Sequence, residues 1–299
     1  MSIRLHLFSF FLRTVERRVL AGMKDPTQIR RKMEFQTGIF FRPPRGMPIT
    51  RMSLSHGALN VSCLKIGSGT AGTLLYLHGG GYIFGSAKTH RRLVAKLAED
   101  NGVTAYSVDY RLAPEHPFPA AIDDAFIAYQ ALLGSGIAAT EITIAGDSAG
   151  GGLAFGLLHR ILAAGLPTPN SLIAFSPFTD QTLESRSIRD NALSEAMLPA
   201  ARMQEVRDMY LQSDFRNPLA SPIFGDFKNA PPIFLSVSTT EILRDDSLAL
   251  AARLRRQNVS VTIEIVDHAP HVWPFFHGVL PEADATLKNV SDFLSHPSL

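Results

Sequence analysis

Cysteine is almost missing from this chain. Cys63 is the only one in 299 residues, which excludes an intrachain disulfide framework and a thiolate metal cluster. A chain with no need of oxidative folding suits a reducing compartment, so a cytoplasmic location is expected. Charge of one sign is scarce as well: 29 Lys+Arg against 27 Asp+Glu leave a formal +2. The basic residues are spread along the chain and form no phosphate-tracking stripe, so no nucleic-acid partner is expected. Long apolar runs are also lacking. The one candidate, within Met1 to Leu12, is interrupted by His6 and followed at once by Arg13, Glu16, Arg17 and Arg18, with no small-residue cleavage site evident. An amphipathic cap helix is expected there, with no stable membrane insertion. No internal repeat or low-complexity tract is present.

What remains is ordinary globular composition, 45% hydrophobic and 19% charged. A chain of this length can form one large α/β domain with an added cap. Short apolar runs rich in β-formers predict strands at 59–66, 73–77, 103–109, 142–145, 172–175, 233–238 and 259–266. Helical periodicity at 88–101, 118–133, 150–164, 242–257 and 282–295 falls between them. That alternation predicts an α/β fold with a mostly parallel central sheet flanked by helices. Two stretches stand outside it, residues 1–45 and 185–215. They are expected to form a helical cap over a catalytic core of 46–184 and 216–299.

Gly146-Asp147-Ser148-Ala149-Gly150 lies between the strand Ile142 to Ala145 and a helix opening at Gly150. This is the strand-turn-helix context of a nucleophile elbow, with Ser148 as nucleophile. Glycines two residues to either side let the turn approach the neighbouring strand and helix closely. Upstream, Leu74-Leu75-Tyr76-Leu77 runs into His78-Gly79-Gly80-Gly81, a glycine-rich loop able to offer backbone N–H groups to an oxyanion. Gly80 and Gly81, with Ala149 after the nucleophile, are the expected donors. His78 is expected to brace that loop. The base in the Ser, acid, His chain order comes last, in Asp267-His268-Ala269-Pro270-His271, where His271 is favoured over His268. Glu241, Asp245 and Asp246 follow the strand 233–238, and Glu241, nearest the strand end, is the expected acid.

Together these motifs, with Asp109-Tyr110-Arg111-Leu112-Ala113-Pro114-Glu115-His116-Pro117-Phe118-Pro119-Ala120-Ala121, resemble the bacterial hormone-sensitive lipase family of carboxylesterases, within the α/β-hydrolase superfamily. The resemblance covers residue 72 to the C-terminus. It implies a capped α/β-hydrolase, a covalent acyl-enzyme on Ser148, small ester substrates with short to medium acyl chains, no cofactor, and a homodimer through an edge strand near 259–266. Arg111 and Glu115 would hold architecture. The chain departs from the family at Glu241, where aspartate followed by proline is usual. A serine amidase or peptidase, and a ligand-binding hydrolase scaffold without activity, are the alternative readings; the chain is short for a peptidase with an added substrate-filtering domain, and the complete Ser, His and oxyanion set speaks against an inactive scaffold.

Overall fold

The computed structural model describes residues 2–23 and 25–296. Eight strands form one sheet: β1 (Ile49–His56), β2 (Leu59–Ile66), β3 (Thr73–Leu77), β4 (Thr104–Val108), β5 (Ile142–Asp147), β6 (Ser171–Phe175), β7 (Ile233–Ser238) and β8 (Val261–Val266). Their spatial order is β1-β2-β4-β3-β5-β6-β7-β8, antiparallel from β1 to β4 and parallel thereafter. The mostly parallel sheet is therefore the one expected. Strand β1 is the addition: it lies at an edge with only Leu54 buried, so its apolar signal is weak. The two-residue turn Gly57-Ala58 pairs it with β2, setting His56 opposite Leu59.

Helices α1 (Ile3–Phe11), α2 (Arg17–Gly22), α3 (Pro26–Phe40), α4 (Ala87–Asp100), α5 (Ala120–Gly134), α6 (Ala149–Ala163), α7 (Ser187–Asp190), α8 (Met203–Tyr210), α9 (Arg244–Arg256) and α10 (Pro281–Ser295) complete the chain. Strand β3 is buried throughout, and mostly apolar, because both of its faces are covered. Leu75 and Leu77 point into a core shared with α5, α6 and α9, whereas Leu74 and Tyr76 point to the opposite face beneath α4 and α10. Local signals fix the helix ends. Ser86 and Thr89 form a reciprocal capping box on α4. Asp245 and Asp246 begin α9 while Arg253, Arg255 and Arg256 close it, each charge opposing the helix dipole.

The strand order reverses between β3 and β5, where the chain crosses from one half of the sheet to the other. Open α/β sheets bind ligands outside the carboxyl ends of strands at such a reversal. Leu77 pairs with Gly146 there, so His78-Gly79-Gly80-Gly81 and Ser148 leave the sheet side by side.

The two segments outside the strand-helix rhythm both pack over these strand ends. Helix α1 runs through a π-turn at Leu12–Glu16 into α2 and buries Leu5 and Leu12 against Trp273 and Phe276. Helix α3 begins at Asp25, whose carboxylate accepts from Thr27 N at 2.8 Å, with Pro26 preset for the first turn. Tyr210, at the end of α8, stacks on Tyr82 beside the glycine loop, ring centres 3.7 Å apart and planes within 3°. Arginines join the two segments: Arg17 Nη1 donates to the Glu195 carbonyl at 2.7 Å, and Arg202 donates to the carbonyls of Leu20 and Met23.

Candidate active site

Ser148 sits between the end of β5 and the first residue of α6 with φ +52° and ψ −122°. A non-glycine residue held there costs about 1–3 kcal/mol and persists only if the surroundings over-determine it. They do. Ser148 N donates to the Phe175 carbonyl at 2.8 Å, and its own carbonyl accepts from Phe178 N and Gly152 N. Close approach explains Gly150: a Cβ there would stand 2.1 Å from the Leu77 carbonyl oxygen. The turn leaves the Ser148 side chain half-buried at the N-terminus of α6, where the helix dipole favours developing negative charge.

The glycine loop is folded as tightly. Gly80 has φ +124°, and a Cβ on it would come within 2.2 Å of the Phe84 carbonyl oxygen. Among the described residues, the N–H groups of Gly80 and Gly81 donate to no protein acceptor. Ala149, first residue of α6, has no intrahelical partner for its own N–H. Asp147, the residue before Ser148, fastens this loop to the elbow. Its carboxylate accepts from Gly79 N at 3.0 Å and Tyr76 Oη at 2.7 Å, and His90 Nε2 lies 3.4 Å away. Burial opposes that negative charge, yet His90 and the Tyr76 hydroxyl outweigh it and hold Asp147 below the ordinary carboxylate value. His78 Nδ1 lies 2.8 Å from the Gly79 carbonyl, and the ring stacks on Tyr110. Burial, reinforced by His90, drives His78 down to about 4, so it is neutral near pH 7.

Glu241 and His271 are brought together. His271 Nδ1 is 2.6 Å from Glu241 Oε2, and Oε1 accepts from Ser176 Oγ and Ser238 N, each at 2.8 Å. Both residues are buried, and His271 Nε2 has no hydrogen-bond partner among the described residues. Burial opposes the charged imidazolium, but the hydrogen bond and charge of Glu241, helped by Glu195 and Asp147, raise His271 above its ordinary value. Ser176 also accepts from Val272 N at 3.2 Å, tying the acid to the histidine loop. Ser148, Ser176 and Val272 all have φ near +50°, so strained residues gather around this pair. Trp273 anchors the loop from the other side by donating to Thr286 Oγ1 at 2.8 Å.

The other candidates lie elsewhere. Asp245 pairs with Arg244 and accepts from Ser187 N; Asp246 accepts from Thr179 N, Asp180 N and Ser185 Oγ. His268 is exposed on its turn. Arg111 clamps Asp124 through paired bonds of 2.8–3.0 Å, and Glu115 is held by Arg30. Arg30 of α3 also donates to the carbonyls of Ile83 and Ala113, each at 2.8 Å, so one arginine locks α3 onto both loops. Three contributors escape a reading of local sequence. Ser176 follows β6 with nothing in its neighbourhood to mark it. Glu195 comes from the segment 185–215: it is buried, and it accepts from Met197 N and from Ile242 N, the amide next to Glu241. Asp147 stood inside the pentapeptide, but its tie to the glycine loop exists only once β3 and β5 have paired. Among the described residues, no three His, Cys, Asp or Glu are grouped to hold a metal ion.

A family model described as the alpha/beta hydrolase fold matches residues 74–275. The chain belongs to that family. Its glycine loop, elbow, acid and histidine all lie in the matched span. An acetyl-hydrolase of Streptomyces hygroscopicus is 40% identical over 74% of this chain and 75% of its own length. An esterase of Acinetobacter venetianus is 37% identical over 74% and 73%. A solved esterase of the bacterial hormone-sensitive lipase family superposes with TM-score 0.90 at 31% identity, covering 98% of each chain. The α/β-hydrolase thus falls among the bacterial hormone-sensitive lipase-type esterases.

Proposed function

We propose that this α/β-hydrolase cleaves carboxylic esters with short to medium acyl chains, with Ser148, His271 and Glu241 as its triad. One observation carries the reading: a buried His271–Glu241 pair with an unengaged Nε2 is tied through Ser176 to the end of β6, whose Phe175 carbonyl also holds the strained Ser148. His271 takes the Ser148 proton as the hydroxyl attacks the ester carbonyl. The N–H groups of Gly80, Gly81 and Ala149 hold the oxyanion, each such donor contributing on the order of 3 kcal/mol. The alcohol leaves with the proton from His271, and water cleaves the acyl-enzyme by the same route. Glu241 keeps the imidazole oriented and steadies its positive charge.

Residues 1–45 and 185–215 serve as the cap in this reading, and the acetyl-hydrolase named above supports a short acyl group. No helix among the described residues is long and apolar enough to cross a membrane. A cytoplasmic location fits Cys63, a lone buried thiol that burial pushes up to about 12. Edge strand β8, with Ile265 exposed, is the proposed dimer contact. The test is hydrolysis of p-nitrophenyl esters from acetate to palmitate, beside a matched anilide. Rates falling beyond butyrate and vanishing in Ser148→Ala support the assignment. A palmitate optimum, a faster anilide, or turnover retained by Ser148→Ala contradicts it.

A further inference from the structure

The overall charge of +2 conceals an uneven distribution. Residues 1–45 contain ten of the 29 lysines and arginines and three of the 27 acidic residues, a net +7 against −5 for the remainder. Arg4, Arg13, Arg18 and Arg31 in this segment are exposed and enter no salt bridge among the described residues.

The same segment displays apolar side chains outward. On a 3.6-residue period, Leu5, Ser9 and Leu12 share the buried face of α1. Ile3, Leu7 and Phe10 fall on the opposite side, where solvent-facing helices normally carry charge, and are 80%, 63% and 61% exposed. Phe11 and Arg4 border this stripe on one side, His6 and Arg13 on the other. Helix α3 adds Phe35 and Phe40, 70% and 71% exposed. Beside α1 an open groove of about 510 Å³ is lined by Leu7, Phe8, Phe11, Gly278 and Val279, with Arg4 among them.

We propose that this face docks on an anionic lipid surface, with α1 lying in the plane of the headgroups. An apolar stripe bordered by arginines is the pattern of helices that rest in a membrane interface without spanning it. Charge selects the occupant. A second copy meeting the same face would bring two segments of +7 together, whereas acidic headgroups neutralise the arginines and the acyl region accepts Ile3, Leu7 and Phe10. Each arginine near an anionic surface is worth about fivefold in partitioning. The inference is independent of the esterase assignment.

The test is sedimentation of the whole protein with vesicles of phosphatidylcholine, or of phosphatidylcholine and phosphatidylglycerol at three to one, at low and high salt. Binding to the mixed vesicles, weakened by salt and at least tenfold stronger than to phosphatidylcholine alone, is the expected result. The double variants Phe10→Ser/Phe11→Ser and Arg13→Glu/Arg18→Glu should each lose at least tenfold. Circular dichroism and a thermal melt confirm that each variant is folded. No sedimentation, equal binding to both vesicles, or unchanged binding by either folded variant overturns the proposal. So does light scattering that shows a dimer dissociated by Phe10→Ser/Phe11→Ser.

Discussion

The elbow and the N-terminal helices are fixed in opposite ways. Around Ser148 the backbone is strained, buried and held by hydrogen bonds from three strands' ends, so a small displacement of any member disturbs the rest. The N-terminal helices rest on Leu5, Leu12 and a few arginine contacts, and they leave large apolar side chains facing outward. On the proposed roles, chemistry falls where geometry is over-determined, and recognition where the surface is left open. Variants of the first region should therefore change turnover of every ester alike. Variants of the second should change which ester is preferred, or where the enzyme resides.

The largest expected effect is His271→Ala, a loss of about 10⁴–10⁶-fold in kcat with little change in KM for every ester; a loss confined to longer acyl chains would break the contrast. Next comes Glu241→Gln, which keeps the shape but removes the charge, for about 10⁴-fold in kcat. It also tests the pH dependence. His271 must be neutral to act as base, and its raised pKa places the acidic limb of kcat/KM above 6.5, with activity falling as pH drops through it. Without the Glu241 charge, burial is opposed only by the more minor contributions of Glu195 and Asp147, and the limb should move to lower pH. The same pairing stabilises the fold fully below pH 6.5 and loses that contribution as pH rises through the raised value.

Smaller still is Ser176→Ala, which removes one charge-assisted bond to Glu241 and should cost about tenfold in kcat. In the segment 185–215, Val206 of α8 lies close to Gly81, within 2.8 Å of where a Cβ on that glycine would sit. Val206→Ala should leave butyrate turnover nearly unchanged and raise the hexanoate-to-butyrate ratio by about fivefold, the scale of one buried methylene or two. The smallest effect is Arg30→Ala: about 1–2 kcal/mol of stability, read as a few degrees in Tm.

The contrast also explains what the sequence made legible. Strands β3 and β5 announce themselves because both faces are buried, and the elbow and glycine loop because their tight backbone admits few residues besides glycine. The fold and the glycine, serine and histidine motifs could be read from such local constraints. Strand β1 was missed because edge pairing asks little of its side chains. Ser176 and Glu195 were missed because their importance exists only after β6, the segment 185–215 and the Glu241 turn have met. Glu241 itself was placed by order along the chain, and its neighbours Asp245 and Asp246 have separate duties in seating 179–187. Outward apolar residues on α1 were visible as an interrupted hydrophobic run, but which of them faced the protein could not be read before Leu5 and Leu12 were seen against Trp273 and Phe276.

The most direct test of the central claim is to inactivate the protein with a p-nitrophenyl phosphonate and locate the adduct by peptide mass spectrometry. One phosphonyl group per chain on Ser148, its attachment slowed strongly in His271→Ala, is the predicted result. Modification at another residue, or no modification at a concentration that labels a known serine esterase, would contradict the account.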